Sequence, residues 1–372
     1  MLELLQDFTL QTVASGAALL GLLSGALGSF ALLRKQSLLG DSISHAALPG
    51  IVLAFIITGS KSSLVLLLGA AFAGWIGTWL ILSIIRNTRL TSDGAQGVIL
   101  SVFFGIGLLL LTYVQSQPNA AQAGLDKYLF GQAAALLPED VLSSGILSIL
   151  SLLILFFLWK EIKLMTFDPV YGESLGFSSK VTDFVITGLI VIAIVTGLQT
   201  VGVILMSSML IAPAAAARQW TDRLGVMVIL SSLFGSVAGV AGAILSSIIP
   251  NLPTGPTIVL CLTFLVCVSL FLAPNRGILS QMIKRFNNRY AFSLQKLLME
   301  LYYLEKDHDE VPAGHDKKTI SLIRERKGSI TVALNTLLSR GLVERTRDGL
   351  WRLTDRGRKE AVSLNGGASH DI

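Results

Sequence analysis

Charge is scarce in this chain: Asp, Glu, Lys and Arg make up only 14% of its 372 residues, against 52% hydrophobic. Soluble domains carry about 25% charged residues, so the deficit excludes an ordinary soluble enzyme or binding module for most of the length. Cysteine is nearly absent as well. Cys261 and Cys267 stand six apart in one apolar run, on different helical faces and too far apart along the axis to bond. A disulfide framework is therefore excluded, and both read as packing residues. There is no phosphate-binding loop. The nearest approach, Gly59-Ser60-Lys61-Ser62, interrupts the Gly-Lys pair, so ATP hydrolysis is expected in a separate subunit and the chain is not expected to be an enzyme. The first residues are acidic at Glu3 and Asp7 where a secretory signal would be basic, and no cleaved signal peptide is expected. Histidine is equally sparse, with His45 the only one before residue 300.

What the chain has in abundance is long apolar runs, with a mean hydropathy of +0.68. Measured against the roughly 20 residues needed to cross a bilayer, spans are expected near 12–33, 43–59, 63–85, 94–115, 139–159, 181–200, 202–217, 225–249 and 256–273. That predicts an all-α polytopic membrane protein with about nine transmembrane helices. The second and seventh are short and contain Pro49 and Pro213, which predicts broken or kinked helices. Glycines such as Gly21, Gly25, Gly235 and Gly239 read as close-packing positions between helices. Cytoplasmic connectors retain Lys and Arg. Arg34 and Lys35, Arg86 and Arg89, Lys160 and Lys163, and Arg218 and Arg223 fall in alternate connectors. With nine spans this places the N-terminus outside and the basic C-terminal region in the cytoplasm.

The chemistry-bearing feature is Asp41 and His45, in Gly40-Asp41-Ser42-Ile43-Ser44-His45-Ala46-Ala47-Leu48-Pro49-Gly50 at the start of the second span. Positions four apart share a helical face, so carboxylate and imidazole can point at one spot and share a divalent cation. The plainer alternative makes Asp41 a helix cap and lets His45 bond a backbone carbonyl. Against it, ionisable groups inside a bundle are costly and mark pathways. Pro49 has no N–H, which leaves the carbonyl of His45 without its helical partner and adds an oxygen nearby. One such pair supplies too few ligands, so a second copy is expected to complete the site. Nitrogen and oxygen donors without thiolate suit Mn(II), Fe(II) or Zn(II) as the transported ion, with no permanently bound cofactor.

The segment from Gly40 to Gly50 resembles the signature of the manganese/zinc/iron permease family of bacterial ABC importers. Further matches follow in order: Tyr128-Leu129-Phe130-Gly131, Phe167-Asp168-Pro169 with Leu175-Gly176, and Gln199-Thr200-Val201-Gly202 running on to Ala212-Pro213-Ala214. The resemblance covers roughly residues 10–275. It departs from the family at Met206-Ser207-Ser208-Met209, and Ser92-Asp93-Gly94-Ala95-Gln96-Gly97 is a looser match. It implies a paired permease with two cytoplasmic ATP-binding subunits and an extracytoplasmic metal-binding protein, and it assigns Asp41 and His45 as metal ligands. Manganese or iron is the favoured cargo, with zinc as the alternative. The stretch from Thr166 to Lys180 is the expected helix that docks the ATPase, through Phe167, Asp168, Pro169, Leu175 and Gly176.

The membrane part is expected to occupy 1–275, followed by a linker at 276–290, a folded cytoplasmic unit at 291–365 and a disordered tail at 366–372. Helical periodicity returns in 293–305, 318–324 and 329–340, and Arg347-Asp348-Gly349 predicts a hairpin turn between two short strands, with a last helix from Asp355 to about Ser363. This order resembles a winged helix (α+β) of the diphtheria-toxin-repressor group. The resemblance implies a groove-entering helix with Thr331, Asn335 and Ser339 exposed, and wing residues Arg345 and Arg347 near phosphates. Acidic Glu305, Asp307, Asp309, Glu310 and Asp316 dilute the basic face, which favours a regulatory or dimer-stabilising role over nucleic-acid binding. Two other classes remain. A membrane-tethered metal-responsive regulator would bind DNA and transport nothing. An ion-coupled carrier would need no ATPase and more intramembrane carboxylates.

Overall fold

The computed structural model describes residues 8–60, 62–116, 138–198, 200–249, 252–274, 276–306, 316, 330–346 and 348–367. The chain forms two compact units, Met1–Ile278 and Leu279–Ile372. In the first lie helices α1 (Phe8–Leu33), α2 (Leu39–Thr58), α3 (Ser63–Asn87), α4 (Ser92–Gln115), α5 (Pro138–Phe157), α6 (Trp159–Phe167), α7 (Pro169–Ser174), α8 (Ser179–Leu198), α9 (Val203–Trp220), α10 (Leu224–Ile248) and α11 (Thr254–Leu272).

Among the described residues, eight of these helices are long and apolar enough to cross a membrane: α1 to α5, α8, α10 and α11. The seventh expected run, α9, is not among these eight. It is a helix of 18 residues, but Pro213 lies inside it and Arg218 closes it. Leu210, Ala214, Ala216 and Ala217 are fully buried, and the helix packs on α1, α2, α10 and α11. A helix walled in by protein does not need lipid-facing leucines, so its composition drifts away from that of a lipid-exposed span.

The spans α1, α2 and α8 are the most buried, and α4 and α5 the least. The outward faces of the peripheral helices are apolar, as at Leu68, Phe72 and Trp79 on α3 or Val102 and Leu109 on α4. Such faces suit hydrocarbon as solvent. Helices α1 and α10 approach along paired small residues. A Cβ on Gly21 would strike the carbonyl of Gly235, one on Gly239 would lie 2.6 Å from that of Ala17, and the Ser231 hydroxyl donates to the carbonyl of Gly25 at 2.7 Å. In lipid, where apolar burial does not drive helices together, this backbone contact and interhelical bond supply the attraction.

The second unit contains α12 (Ile278–Lys306), α13 (Ile330–Ser339), strands β1 (Val343–Arg345) and β2 (Trp351–Leu353), and α14 (Asp355–Gly367). Helix α12 runs on through the stretch read from sequence as a linker, and α14 continues into the first residues of the expected tail. The expected helix at 318–324 lies outside the described residues. Leu294, Leu297, Leu298 and Leu301 recur at helical spacing on α12 and pack with Leu334, Leu337, Trp351 and Leu353. The strands pair antiparallel with Val343 opposite Leu353 and Arg345 opposite Trp351, and Gly349 supplies the positive φ of 81° that the turn requires. Glu305 fastens the hairpin to α12: its carboxylate accepts the Leu353 N–H at 2.8 Å and Arg358 Nε at 2.9 Å. Sequence reasoning counted Glu305 as a surface charge, whereas its side chain is only 9% exposed. This is a small α+β unit.

Candidate metal site and docking surface

Helix α2 carries both candidate ligands on its first turns. Its N-cap is Leu38, without a side-chain cap bond, so Asp41 lies inside the helix, where an acid in the first turn complements the dipole. Neighbouring hydroxyls are satisfied locally: Ser42 Oγ donates to the carbonyls of Leu38 at 3.0 Å and Gln96 at 3.2 Å, and Ser44 Oγ to that of Gly40 at 2.7 Å.

His45 Nε2 stands 3.5 Å from Asp41 Oδ1, longer than the 2.7–3.2 Å of an N–H···O bond. Nδ1 of the same ring is buried and has no hydrogen-bond partner. The plainer alternative is therefore not the arrangement found: Asp41 is not the cap residue, and among the described residues neither ring nitrogen bonds a backbone carbonyl. The imidazole sits edge to face on Phe104 of α4, ring centroids 4.7 Å apart. Below them, α4 comes close at Gly107, where a Cβ would lie 2.9 Å from Leu48 and 3.0 Å from the ring of Pro49. The His45 side chain is 13% exposed and that of Asp41 33%, so the pair opens to one side of the chain. Among the described residues no cluster of three or more His, Cys, Asp or Glu is present.

The segment expected to dock a partner is not one helix over 166–180. Asp168 ends α6 and caps α7 by accepting the Tyr171 N–H at 3.0 Å, Pro169 occupies the first turn, and Gly176, at φ 89°, stops the helix. A proline and a left-handed glycine impose this break. Phe167, Val170, Tyr171 and Leu175 are exposed together on this short elbow, while Gly172 packs on Met165.

Sequence reasoning missed Arg34 and Asp183. Arg34 Nη1 lies 2.7 Å from Asp183 Oδ1, and its Nε donates to Thr166 Oγ1 at 3.4 Å. A lone carboxylate at the entrance of the apolar run 181–200 was the available signal. In the second unit Asn335 and Ser339 are exposed, and Arg345 lies over the Trp351 ring at 5.8 Å. Thr331 belongs to α13, and Arg347 lies outside the described residues, as does Tyr128-Leu129-Phe130-Gly131.

Residues 6–273 match the profile of the ABC 3 transport family. The chain belongs to that family. As an ABC 3 protein it is a multi-pass permease subunit of an ABC importer for divalent metals, and it is not the catalytic subunit. The zinc transport system membrane protein TroC of Treponema pallidum is 52% identical over 285 residues, 77% of this chain and 96% of that protein. The manganese transport system membrane protein MntC of Bacillus subtilis is 44% identical over 358 residues, 95% of this chain and 81% of that protein. Only a match of that length reaches through the second unit. Among solved structures, PsaBC from Streptococcus pneumoniae in complex with Fab superposes with a TM-score of 0.67 at 32% identity, covering 76% of this chain and 98% of that chain.

Proposed function

We propose that two copies of the Asp41/His45 pair, one from each permease of a dimer, form the resting site of Mn(II) or Zn(II) on its way into the cytoplasm. The observation that carries this reading is the pair itself, a carboxylate and an imidazole 3.5 Å apart with a buried ring nitrogen lacking a partner. Two such pairs give four hard-to-borderline donors, which Mn(II), Fe(II) and Zn(II) all accept. Two relatives named for zinc and for manganese support those cargoes. Helix α9 serves as a ninth crossing, which puts the N-terminus outside and the second unit in the cytoplasm, in keeping with the alternation of basic connectors. A cytoplasmic ATPase pair docks on Phe167, Asp168, Pro169, Leu175 and Gly176, and an extracytoplasmic metal-binding protein delivers the ion.

The test is uptake of radiolabelled manganese and zinc by the reconstituted complex. His45→Ala and Asp41→Ala are each expected to lower uptake by about 100-fold with assembly intact, since ligand loss removes binding and orientation together. Unchanged uptake in either variant refutes the assignment.

For the C-terminal unit, from about residue 291, we propose a winged helix with a regulatory or dimer-stabilising role. The succession of α13, the β1–β2 hairpin and α14 supports it. Nucleic-acid contact through Asn335 and Ser339 is the competing role, and footprinting of promoter DNA with the full chain in detergent decides between them.

A further inference from the structure

Arg34, just beyond the end of the first span, reaches Thr166, one residue before the elbow proposed as the ATPase docking surface. We infer that Arg34 is a positioning residue that transmits movement of that elbow to the helix carrying Asp41 and His45. The inference rests on the docking reading of the elbow and concerns how docking is coupled to the metal site.

On one side, Arg34 grips two elements. Its Nη1 meets the Asp183 carboxylate at 2.7 Å near the start of α8, and its Nε meets Thr166 Oγ1 at 3.4 Å, one residue before Phe167 and the elbow. The Thr166 hydroxyl is itself oriented, donating to the Ile162 carbonyl at 2.7 Å. The Arg34 side chain is 11% exposed and that of Asp183 32%, so their charge-assisted bond is partly shielded from water. Neither Arg34 nor Asp183 belongs to the metal pair.

On the other side, the chain from Arg34 to Asp41 has no slack. Helix α1 ends in a Schellman turn, with Lys35 N–H bonded to the Leu32 carbonyl at 3.1 Å and Gln36 N–H to that of Ala31 at 2.9 Å. Lys35 fills the left-handed position at φ 57°, the only described non-glycine residue with positive φ. A side chain held in that region is a strained choice where glycine would be relaxed, and such strain persists where the surroundings fix it. The Leu39 N–H then bonds the Gln36 carbonyl at 3.1 Å, and Ser42 N–H that of Leu38 at 3.0 Å, which leads directly into the first turn of α2. A displacement of Thr166 and Asp183 therefore passes through Arg34 and a closed turn to Asp41 without a flexible joint between them.

The test uses the full importer, the permease assembled with its ATPase subunits in proteoliposomes, with manganese as the probe. Arg34→Gln is expected to lower manganese uptake about tenfold while ATP hydrolysis per assembled complex changes less than about twofold, and the paired exchange Arg34→Asp with Asp183→Arg is expected to restore most of the uptake, as a coupled pair requires. A merely structural role would move both readouts together. The inference is overturned if Arg34→Gln retains wild-type uptake per ATP, or if uptake and hydrolysis fall in proportion to the amount of complex. It is also overturned if the exchange gives no recovery. Full copurification of the ATPase with Val170→Asp and Leu175→Asp would instead overturn the docking reading of the elbow, and this inference with it.

Discussion

His45 is held against Phe104, ring centroids 4.7 Å apart and planes at 75°. This contact fixes which way the imidazole faces, because the buried Nδ1 has no hydrogen bond to do so. An edge-to-face pair of this kind contributes about 0.5–1.5 kcal/mol. Phe104→Ala is therefore expected to leave the permease assembled but weaken metal capture, raising the manganese KM for uptake about three- to tenfold. Initial-rate measurements over a range of metal concentrations check this; a fall in maximal rate alone would contradict it.

At the α1–α10 crossing, the carbonyls of Gly21 and Gly235 leave no room for a side chain. Gly21→Leu is expected to destabilise the bundle by about 1–3 kcal/mol or more, the usual cost of overpacking. Ser231→Ala, which removes only the bond to Gly25, should cost about 0.6 kcal/mol, in line with interhelical bonds in lipid. Thermal unfolding of detergent-purified permease distinguishes the two.

Exposed apolar residues on the elbow set up a third expectation. Val170 is 79% and Leu175 54% exposed, so a charge at either alters no packed core. Val170→Asp and Leu175→Asp are each expected to reduce ATPase copurification about tenfold, as loss of an apolar anchor does in a partner interface, with permease abundance in the membrane unchanged.

In the second unit Glu305 satisfies a backbone N–H and an arginine at once. Glu305→Ala is expected to destabilise that unit by about 1–3 kcal/mol by leaving these donors without their acceptor. Limited proteolysis of the full chain should then cleave within the second unit sooner, with fragments of the membrane unit unaffected.

Much of this architecture was legible in the sequence because it is local. Asp41 and His45 announce themselves by spacing on one helix, the apolar runs by length, and the hairpin by Arg347-Asp348-Gly349. What escaped depends on residues brought together from afar. Arg34 meets Asp183 across 149 positions, and no periodicity marks that pairing. Glu305 looked like solvent-facing charge because its partners, Leu353 and Arg358, come from the far side of the hairpin. The apolar pattern over 166–180 predicts one continuous helix, although Pro169 and Gly176 carry the breaking signal. The sequence marks α9 as a short, kinked span through Pro213, but an apolar run does not reveal whether lipid or protein surrounds it.

That last feature bears on biogenesis. Bordered by α1, α2, α10 and α11 and interrupted by Pro213, α9 draws less from partitioning into lipid than the runs on either side of it. Two of those neighbours, α10 and α11, are synthesised after it. Its stable integration therefore awaits their arrival, so the transport core is completed only after α11 has been made, with the second unit still to follow.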